Sequence, residues 1–316
     1  MNEPARYETQ TLGCDKPAIA AAAALLRAGG IVAVPTETVY GLAGNALDSS
    51  AVAAIYAAKG RPSFNPLIVH VADREGAGAI ADFNPVAERL ASAFWPGALT
   101  MVLPIRSDSG LSPLITAGLP TVALRMPAHD AMRALITASG VPLAAPSANA
   151  SGGISSTSAA HVRASLDGRI PLILDAGDTA QGLESTIVAP EADRIRLLRP
   201  GPVTAERLEV IAGVPVTRDH GHGIEAPGQM TSHYAPSKPL RLDASRAEAD
   251  EYLIGFGRMD CDFNLSATGD LVVAAARLFS ALHAADASDK TRIAVARIPM
   301  RDIGVAINDR LTRAAA

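Results

Sequence analysis

Apolar residues along the chain gather into short runs and amphipathic stretches that mark strands and helices in alternation. Pro17 to Leu26 reads as a helix closed by Gly29 and Gly30, and Ile31-Val32-Ala33-Val34-Pro35 reads as a buried strand ending at a proline. Ser49 or Ser50 is placed to cap a helix running to about Ala58, and Pro66 to Val71 predicts a further strand, so the stretch resembles a β-loop-α-β unit. Apolar runs at Thr100 to Pro104, Thr121 to Arg125, Pro142 to Ala145 and Leu172 to Asp175 predict more strands, separated by helical patterns such as Ala128 to Ser139. An α/β architecture with a sizeable sheet follows.

The periodicity fails between Val216 and Pro239, where Gly, His and Pro recur through His220-Gly221-His222-Gly223 and His233-Tyr234-Ala235-Pro236. This segment reads as a linker. Beyond it, Pro239 to Asp243, Glu251 to Phe256 and Arg292 to Ile298 predict strands around a helix from roughly Asp270 to His283, a small second α/β domain. The expected division is therefore 10–215 for the first domain, 216–239 for the linker and 240–316 for the second domain.

Composition narrows the class. The chain has 316 residues, 48% of them apolar and 19% charged, which suits two globular cores rather than a disordered or extended protein. Lys and Arg total 28 against 32 Asp and Glu, a net charge of -4, so a broadly basic nucleic-acid scaffold is disfavoured and any anion site must be local. Cys14 and Cys261 lie far apart and outside any CxxC or Cys/His cluster; they read as reduced thiols, with one long-range pair left open. Met1 to Gln10 has no apolar signal core, and the longest apolar stretch, Ala18 to Leu26, is too short to span a bilayer. A cytoplasmic protein without membrane contact is expected.

Candidate chemistry sits in loops at predicted strand ends, where α/β folds present ligand groups. Pro35-Thr36-Glu37-Thr38-Val39-Tyr40-Gly41-Leu42 sets hydroxyls and a carboxylate after a buried strand, suited to a small polar substrate or to a capped turn. Lys59-Gly60-Arg61-Pro62, with Asn65-Pro66-Leu67 behind it, fixes two cations in a stiff loop. Such charge fits phosphate, Arg as a fork and Lys as a point charge, and it also fits cations closing a helix against its dipole. Ala144 to Ser155 follows an apolar strand with small hydroxyl, amide and glycine residues, able to turn backbone N–H groups on phosphate oxygens or to form a flexible loop. Ser147 is outside any GxSxG and has no assignable base. No GxxxxGK[ST] loop exists, and Gly255-Phe256-Gly257 lacks the third glycine of a dinucleotide fingerprint, so it reads as a turn.

Taken in order, these segments resemble the long, two-domain class of YrdC-like threonylcarbamoyl-AMP synthases. The resemblance covers PTETVYGL, the KxRP and NPLIVHV run, Trp95-Pro96-Gly97 with Leu99-Thr100, Thr121 to Pro127, PSANASG, Glu184-Ser185-Thr186-Ile187 and Leu198-Arg199-Pro200-Gly201. It continues through Pro227-Gly228, His233-Tyr234-Ala235-Pro236 and Asn308-Asp309-Arg310-Leu311. The departures are Ser156, where a proline is common, and a linker that lacks the basic residues often found before His233.

The resemblance implies a large twisted-sheet YrdC-like domain with a basic cavity, plus a small C-terminal Rossmann-like α/β domain. It implies a nucleotidyltransferase: the amine of L-threonine is carboxylated by carbon dioxide from bicarbonate, and the carbamate oxygen attacks the α-phosphorus of ATP, releasing pyrophosphate. Carried over position by position, Lys59, Arg61, Asn65, Thr121, Ser147, Asn149, Ser155 and Arg199 are expected to contact ATP, with Tyr234 against the nucleotide in a lid. Lys59 and Arg61 would carry catalysis. Thr38, His70, Arg125, Ala145 and Ser185 are expected to form the threonine pocket, Arg125 clamping the carboxylate. His220, His222 and His233 have no cysteine or carboxylate partner to make a metal site, so Mg2+ is expected on phosphate oxygens and water. The implied partners are the downstream tRNA threonylcarbamoyl transferase machinery and a weak tRNA contact, for threonylcarbamoyladenosine modification of tRNA. The alternative is a non-catalytic double-stranded RNA-binding protein. A carbamoyl-transfer domain of hydrogenase maturation shares the core but should sit beside zinc-finger-like cysteine motifs, which this chain lacks.

Overall fold

The computed structural model describes residues 7–218, 225–226 and 233–316. Short apolar runs, too brief for helices, pair into two sheets. In chain order the first contains β1 (Gln10–Gly13), β2 (Ile31–Val34), β3 (Gly41–Asn45), β4 (Ile68–His70), β5 (Leu99–Pro104), β6 (Thr121–Arg125), β7 (Leu143–Ala144), β8 (Leu172–Asp175), β9 (Thr186–Pro190), β10 (Ile195–Arg199) and β11 (Val216–Thr217). Their spatial order is β1-β8-β2-β3-β7-β4-β6-β5-β9-β10-β11. The accompanying helices are α1 (Lys16–Arg27), α2 (Ser49–Lys59), α3 (Arg74–Ile80), α4 (Pro85–Phe94), α5 (Asp130–Ser139), α6 (Ala159–Leu166) and α7 (Ala205–Ala212). The second sheet, β12 (Leu240–Arg241), β13 (Glu251–Gly255), β14 (Phe263–Asn264) and β15 (Arg292–Val295), is parallel throughout in the order β12-β15-β13-β14, with α8 (Leu271–Ala287) and α9 (Gly304–Ala314).

Two local expectations change. The stretch read as β-loop-α-β contains an additional strand, β3, antiparallel to β2 with Val34 opposite Gly41, so residues 35–40 form a reversal rather than a long loop. Gly, Ala and Asn disfavour strands on their own, and β3 forms because both neighbours, β2 and β7, supply ladder partners. At α2 the cap is Asp48, whose carboxylate accepts from the Ser50 N–H at 2.8 Å, rather than Ser49 or Ser50. A carboxylate serves the positive end of the helix dipole better than a hydroxyl.

Side-chain alternation splits the first sheet into unlike faces. On one face Ala33, Leu42, Val69, Leu99, Met101, Leu103, Leu124 and Val188 join a continuous core with helices α2, α3, α4, α6 and α7. On the other, Val32, Val34, Ala43, Leu143 and Leu172 are covered by α1 and α5. Farther along this second face, Ile68, Val102, Ala123, Ile187, Ala189 and Leu198 cluster with Ala226, and no helix joins them. Among the described residues the helical layer therefore stops partway across, and at β4, β6, β5, β9 and β10 this face is buried without a helix over it, with Ala226 packed against it.

Val216 and Thr217, at the start of the segment read as a linker, form β11 beside β10. Of that segment, 225–226 lie over the uncovered face, Glu225 pairing with Arg196 at 2.9 and 2.7 Å; His220, His222, Gly223, Pro227 and Gly228 lie outside the described residues. The second domain packs on the first through α8. Gly182, at φ +66°, approaches so closely that a Cβ there would collide with the Ala276 carbonyl. No described helix is long and apolar enough to cross a membrane.

Candidate functional site: a cation-lined cavity on the uncovered sheet face

The reversal after β2, the ends of β4, β6 and β7, the 184–185 loop, the end of β10 and His233-Tyr234 enclose one cavity. Thr38, Arg61, His70, Arg125, Ala145, Ser147, Ser185, Arg199 and Tyr234, all expected at the site, line it together. Lys59, Asn65, Asn149 and Ser155 stand just behind its wall. Thr121 does not reach it: it starts β6, on the same strand face as Ala123 and Arg125 but about 13 Å up the strand from Arg125.

Arg125 is held from three sides. Nη2 pairs with Glu37 at 2.7 Å, Nη1 donates to Thr38 Oγ1 at 2.9 Å and Nε donates to the Gly97 carbonyl at 3.1 Å. Burial pushes the Glu37 carboxyl up, but the charge and hydrogen bond of Arg125 overcome it and leave the group below its usual range. The Thr36 hydroxyl accepts from the N–H groups of Thr38 and Val39 at 3.1 and 3.2 Å, fixing the reversal that presents Thr38.

Lys59 ends α2 with its ammonium buried, donating to the carbonyls of Ser147 at 2.6 Å and Asn149 at 2.5 Å. Burial, reinforced by the charge of Arg61, pushes its pKa well below the ordinary lysine value. Arg61 donates through Nε to the Asn65 carbonyl at 3.2 Å and through Nη2 to the Pro66 carbonyl at 2.9 Å, and burial lowers it to about 10. Arg199 donates to the Ser185 carbonyl at 3.1 and 2.9 Å and to its hydroxyl at 3.2 Å. Asn149 clamps the small-residue loop through Nδ2, at 2.8 Å to Ala150 and 2.9 Å to Gly153. These cations are buried, Lys59 only 2% exposed, so they suit a small anionic ligand better than the exposed backbone of a nucleic-acid duplex.

Glu37, weighed in the sequence as a carboxylate for a small polar substrate, and His233, weighed as a metal ligand, stand beside the cavity with Glu184 and Arg310, which the sequence presents only as parts of motifs. Glu184 lies within a motif that was recognised; it accepts from the Ser155 hydroxyl and pairs with Arg310 of α9 at 2.8 Å. His233 packs edge-on to Tyr234, ring centroids 4.0 Å apart.

Burial holds His70 and His233 neutral, each with a pKa of about 3 against 6.5 in an open chain. As pH falls below 6.5 the unfolded chain takes up protons that these imidazoles refuse in the folded state. Their contribution is thus complete above 6.5 and is lost towards 3, by up to about 1.4 kcal/mol per pH unit for each group. Thermal unfolding from about pH 7.5 down to about pH 4.5 is expected to show a falling midpoint, with a shallower slope in His70→Gln. An equal slope in that variant would mean that His70 is not held neutral.

The architecture and cavity define an α/β protein with a larger and a smaller sheet and a buried cavity lined by three arginines. A family model described as "Telomere recombination" (Sua5_yciO_yrdC) matches residues 24–201, and one described as "Threonylcarbamoyl-AMP synthase, C-terminal domain" (Sua5_C) matches residues 203–316. The chain is 43% identical to the threonylcarbamoyl-AMP synthase of Bacillus subtilis (strain 168), over 97% of this chain and 95% of that protein. It is 41% identical to the one of Pyrococcus abyssi (strain GE5 / Orsay), over 93% of this chain and 92% of that protein. The crystal structure of P. abyssi Sua5 complexed with L-threonine superposes with a TM-score of 0.87 at 37% identity, covering 97% of this chain and 96% of that one. The chain belongs to the Sua5/YciO/YrdC family, in its two-domain form.

Proposed function

We propose that this protein is an L-threonylcarbamoyladenylate synthase, which condenses L-threonine, bicarbonate and ATP to threonylcarbamoyl-AMP and pyrophosphate. The observation that carries the reading is one cavity in which a fixed arginine fork, Arg125, stands near Lys59, Arg61 and Arg199, in a chain so similar to proteins of that name.

In this reading Arg125, steadied by Glu37 and Thr38, takes the threonine carboxylate, and Ala145 and Ser185 shape the remaining pocket. Neutral His70 can accept a hydrogen bond from the amine without repelling it as a cation would. The amine nitrogen bonds to the carbon of carbon dioxide and loses a proton, giving a carbamate. Its oxygen then bonds to the α-phosphorus while the bond to the β-phosphate oxygen breaks, and pyrophosphate leaves. Lys59, Arg61 and Arg199 oppose the charge gathering on the phosphates, with Asn65, Ser147, Asn149 and Ser155 ordering the loops around them. No side chain needs to become a nucleophile; rate comes from positioning and charge. Tyr234, from the segment that caps the cavity, would lie against the nucleotide and exclude water from the labile product.

The carboxylates beside the cavity, Glu37 and Glu184, are each already engaged by an arginine. The donor set therefore fits Mg2+ held by phosphate oxygens and water rather than by the protein. The product is a reactive anhydride, so a tRNA-modifying transferase downstream is the natural consumer, with at most a weak tRNA contact here.

Incubation with ATP, bicarbonate and labelled threonine tests the reading. The label is expected in an AMP adduct, with pyrophosphate release that requires both threonine and bicarbonate. Salt-sensitive RNA binding with no pyrophosphate release would overturn it.

A further inference from the structure

Arg310 lies on α9 of the second domain, is wholly buried and does not itself line the cavity. Its guanidinium nevertheless holds three wall segments at once. Nε donates to the Glu184 carboxylate at 2.8 Å, Nη2 donates to the Pro200 carbonyl at 3.0 Å, and the group sits 5.2 Å from the centre of the Tyr234 ring. Its own neighbour Asp309 takes Nη1 at 2.6 Å. Glu184, Tyr234 and Arg199, which precedes Pro200, all face the cavity. The other oxygen of Glu184 accepts from the Ser155 hydroxyl.

Two further contacts run the same way. From the linker, Ala235 N–H donates to the Gly152 carbonyl at 2.9 Å, and from the second domain His283 Nε2 lies 3.1 Å from the Ser155 carbonyl. The small-residue loop is thus pinned from the second domain at its main chain and, through Glu184, at the Ser155 side chain.

We propose that Arg310 is a positioning residue for the nucleotide half of the site: it fixes Glu184, Pro200 and Tyr234, and with them the stretch of wall that carries Arg199. The proposal rests on the synthase reading for the identity of the nucleotide. A buried ion pair is a poor source of stability compared with apolar packing, so one that joins two domains behind a ligand wall is better explained by the geometry it fixes. Only a planar fork serves these acceptors together; a lysine could satisfy the charge of Glu184 but not the Pro200 carbonyl as well. Without a cation at 310, Glu184 loses the ion pair that holds it, and the wall it shares with Arg199 and Tyr234 loses its anchor in the second domain.

Arg310→Gln and Arg310→Lys in the full chain separate this role from simple stabilisation. Pyrophosphate release would be followed with ATP and threonine varied in turn across a pH series, alongside direct calorimetric titration with ATP and the unfolding midpoint. In Arg310→Gln the KM and Kd for ATP are expected to rise about tenfold, the size of one lost hydrogen bond to a charged group, while the threonine KM changes less than about threefold. The acid limb of kcat/KM for ATP should move to higher pH, because Glu184 loses the cation that keeps it ionised. Arg310→Lys should restore the acid limb but not the ATP affinity. A lowered midpoint with ATP affinity and pH profile unchanged, or both KM values rising together, would overturn the proposal. If Arg310→Gln does not fold, unchanged ATP binding in Arg310→Lys overturns it alone. Failure of the synthase reading is distinct, since it appears as wild-type protein without threonine-dependent release, and the ATP titration still reports on Arg310.

Discussion

Arg61→Ala is expected to lower threonine-dependent pyrophosphate release by about 10²- to 10³-fold, the range found when one preorganised donor to a developing charge is removed. Arg61 is held by main-chain carbonyls only two residues from Lys59, and its side chain lines the cavity while the Lys59 ammonium lies behind it. Lys59 is better replaced by Met than by Ala, because its stem is buried and its ammonium bonds the Ser147 and Asn149 carbonyls, so alanine would leave both a void and two buried acceptors. Lys59→Met is expected to lose activity on the same scale. The double variant should be little worse than either single, since both hold one polyphosphate. Turnover within a few-fold of wild type in both single variants would remove these residues from the phosphate site.

The largest combined effect on fold and function is expected at Arg125. Arg125→Ala strands the buried Glu37 carboxylate and should cost about 3–5 kcal/mol of stability, together with threonine binding. Arg125→Lys separates the two consequences. It keeps a cation beside Glu37, so the unfolding midpoint should stay close to wild type, but one ammonium cannot serve Glu37, Thr38, Gly97 and a substrate carboxylate together. The threonine KM should then rise about 100-fold with the ATP KM little changed. A threonine KM that stays put would show that the carboxylate is bound elsewhere.

The parts of the fold legible in advance are those in which local preference and tertiary pairing agree. β2, β6 and β8 lie where β-branched and leucine-rich runs place them, because such residues suit a sheet on their own account. β3 was not legible, since Gly41, Ala43, Gly44 and Asn45 favour other conformations and become strand only between β2 and β7. β9 and β10 were read as motifs rather than as strands, their ends carrying Ser185-Thr186 and Arg199. At the site, the residues recognisable by chemistry were the cations and hydroxyls of polar loops. Glu37 was legible as a carboxylate in a polar loop but not as the partner of Arg125, and Glu184 looks like an ordinary charged residue until burial gives it Arg310. The Glu184–Arg310 pair spans 126 positions, and no local pattern announces a contact of that separation.

That separation also sets a timetable. A nascent chain that has emerged through β11 carries every strand of the first sheet, and Glu184 with them, while α9 has yet to be translated. Until position 310 leaves the ribosome, the carboxylate faces Arg199 without its later companion. The wall behind the cavity therefore gains its Arg310 contacts only after α9 of the second domain has been made.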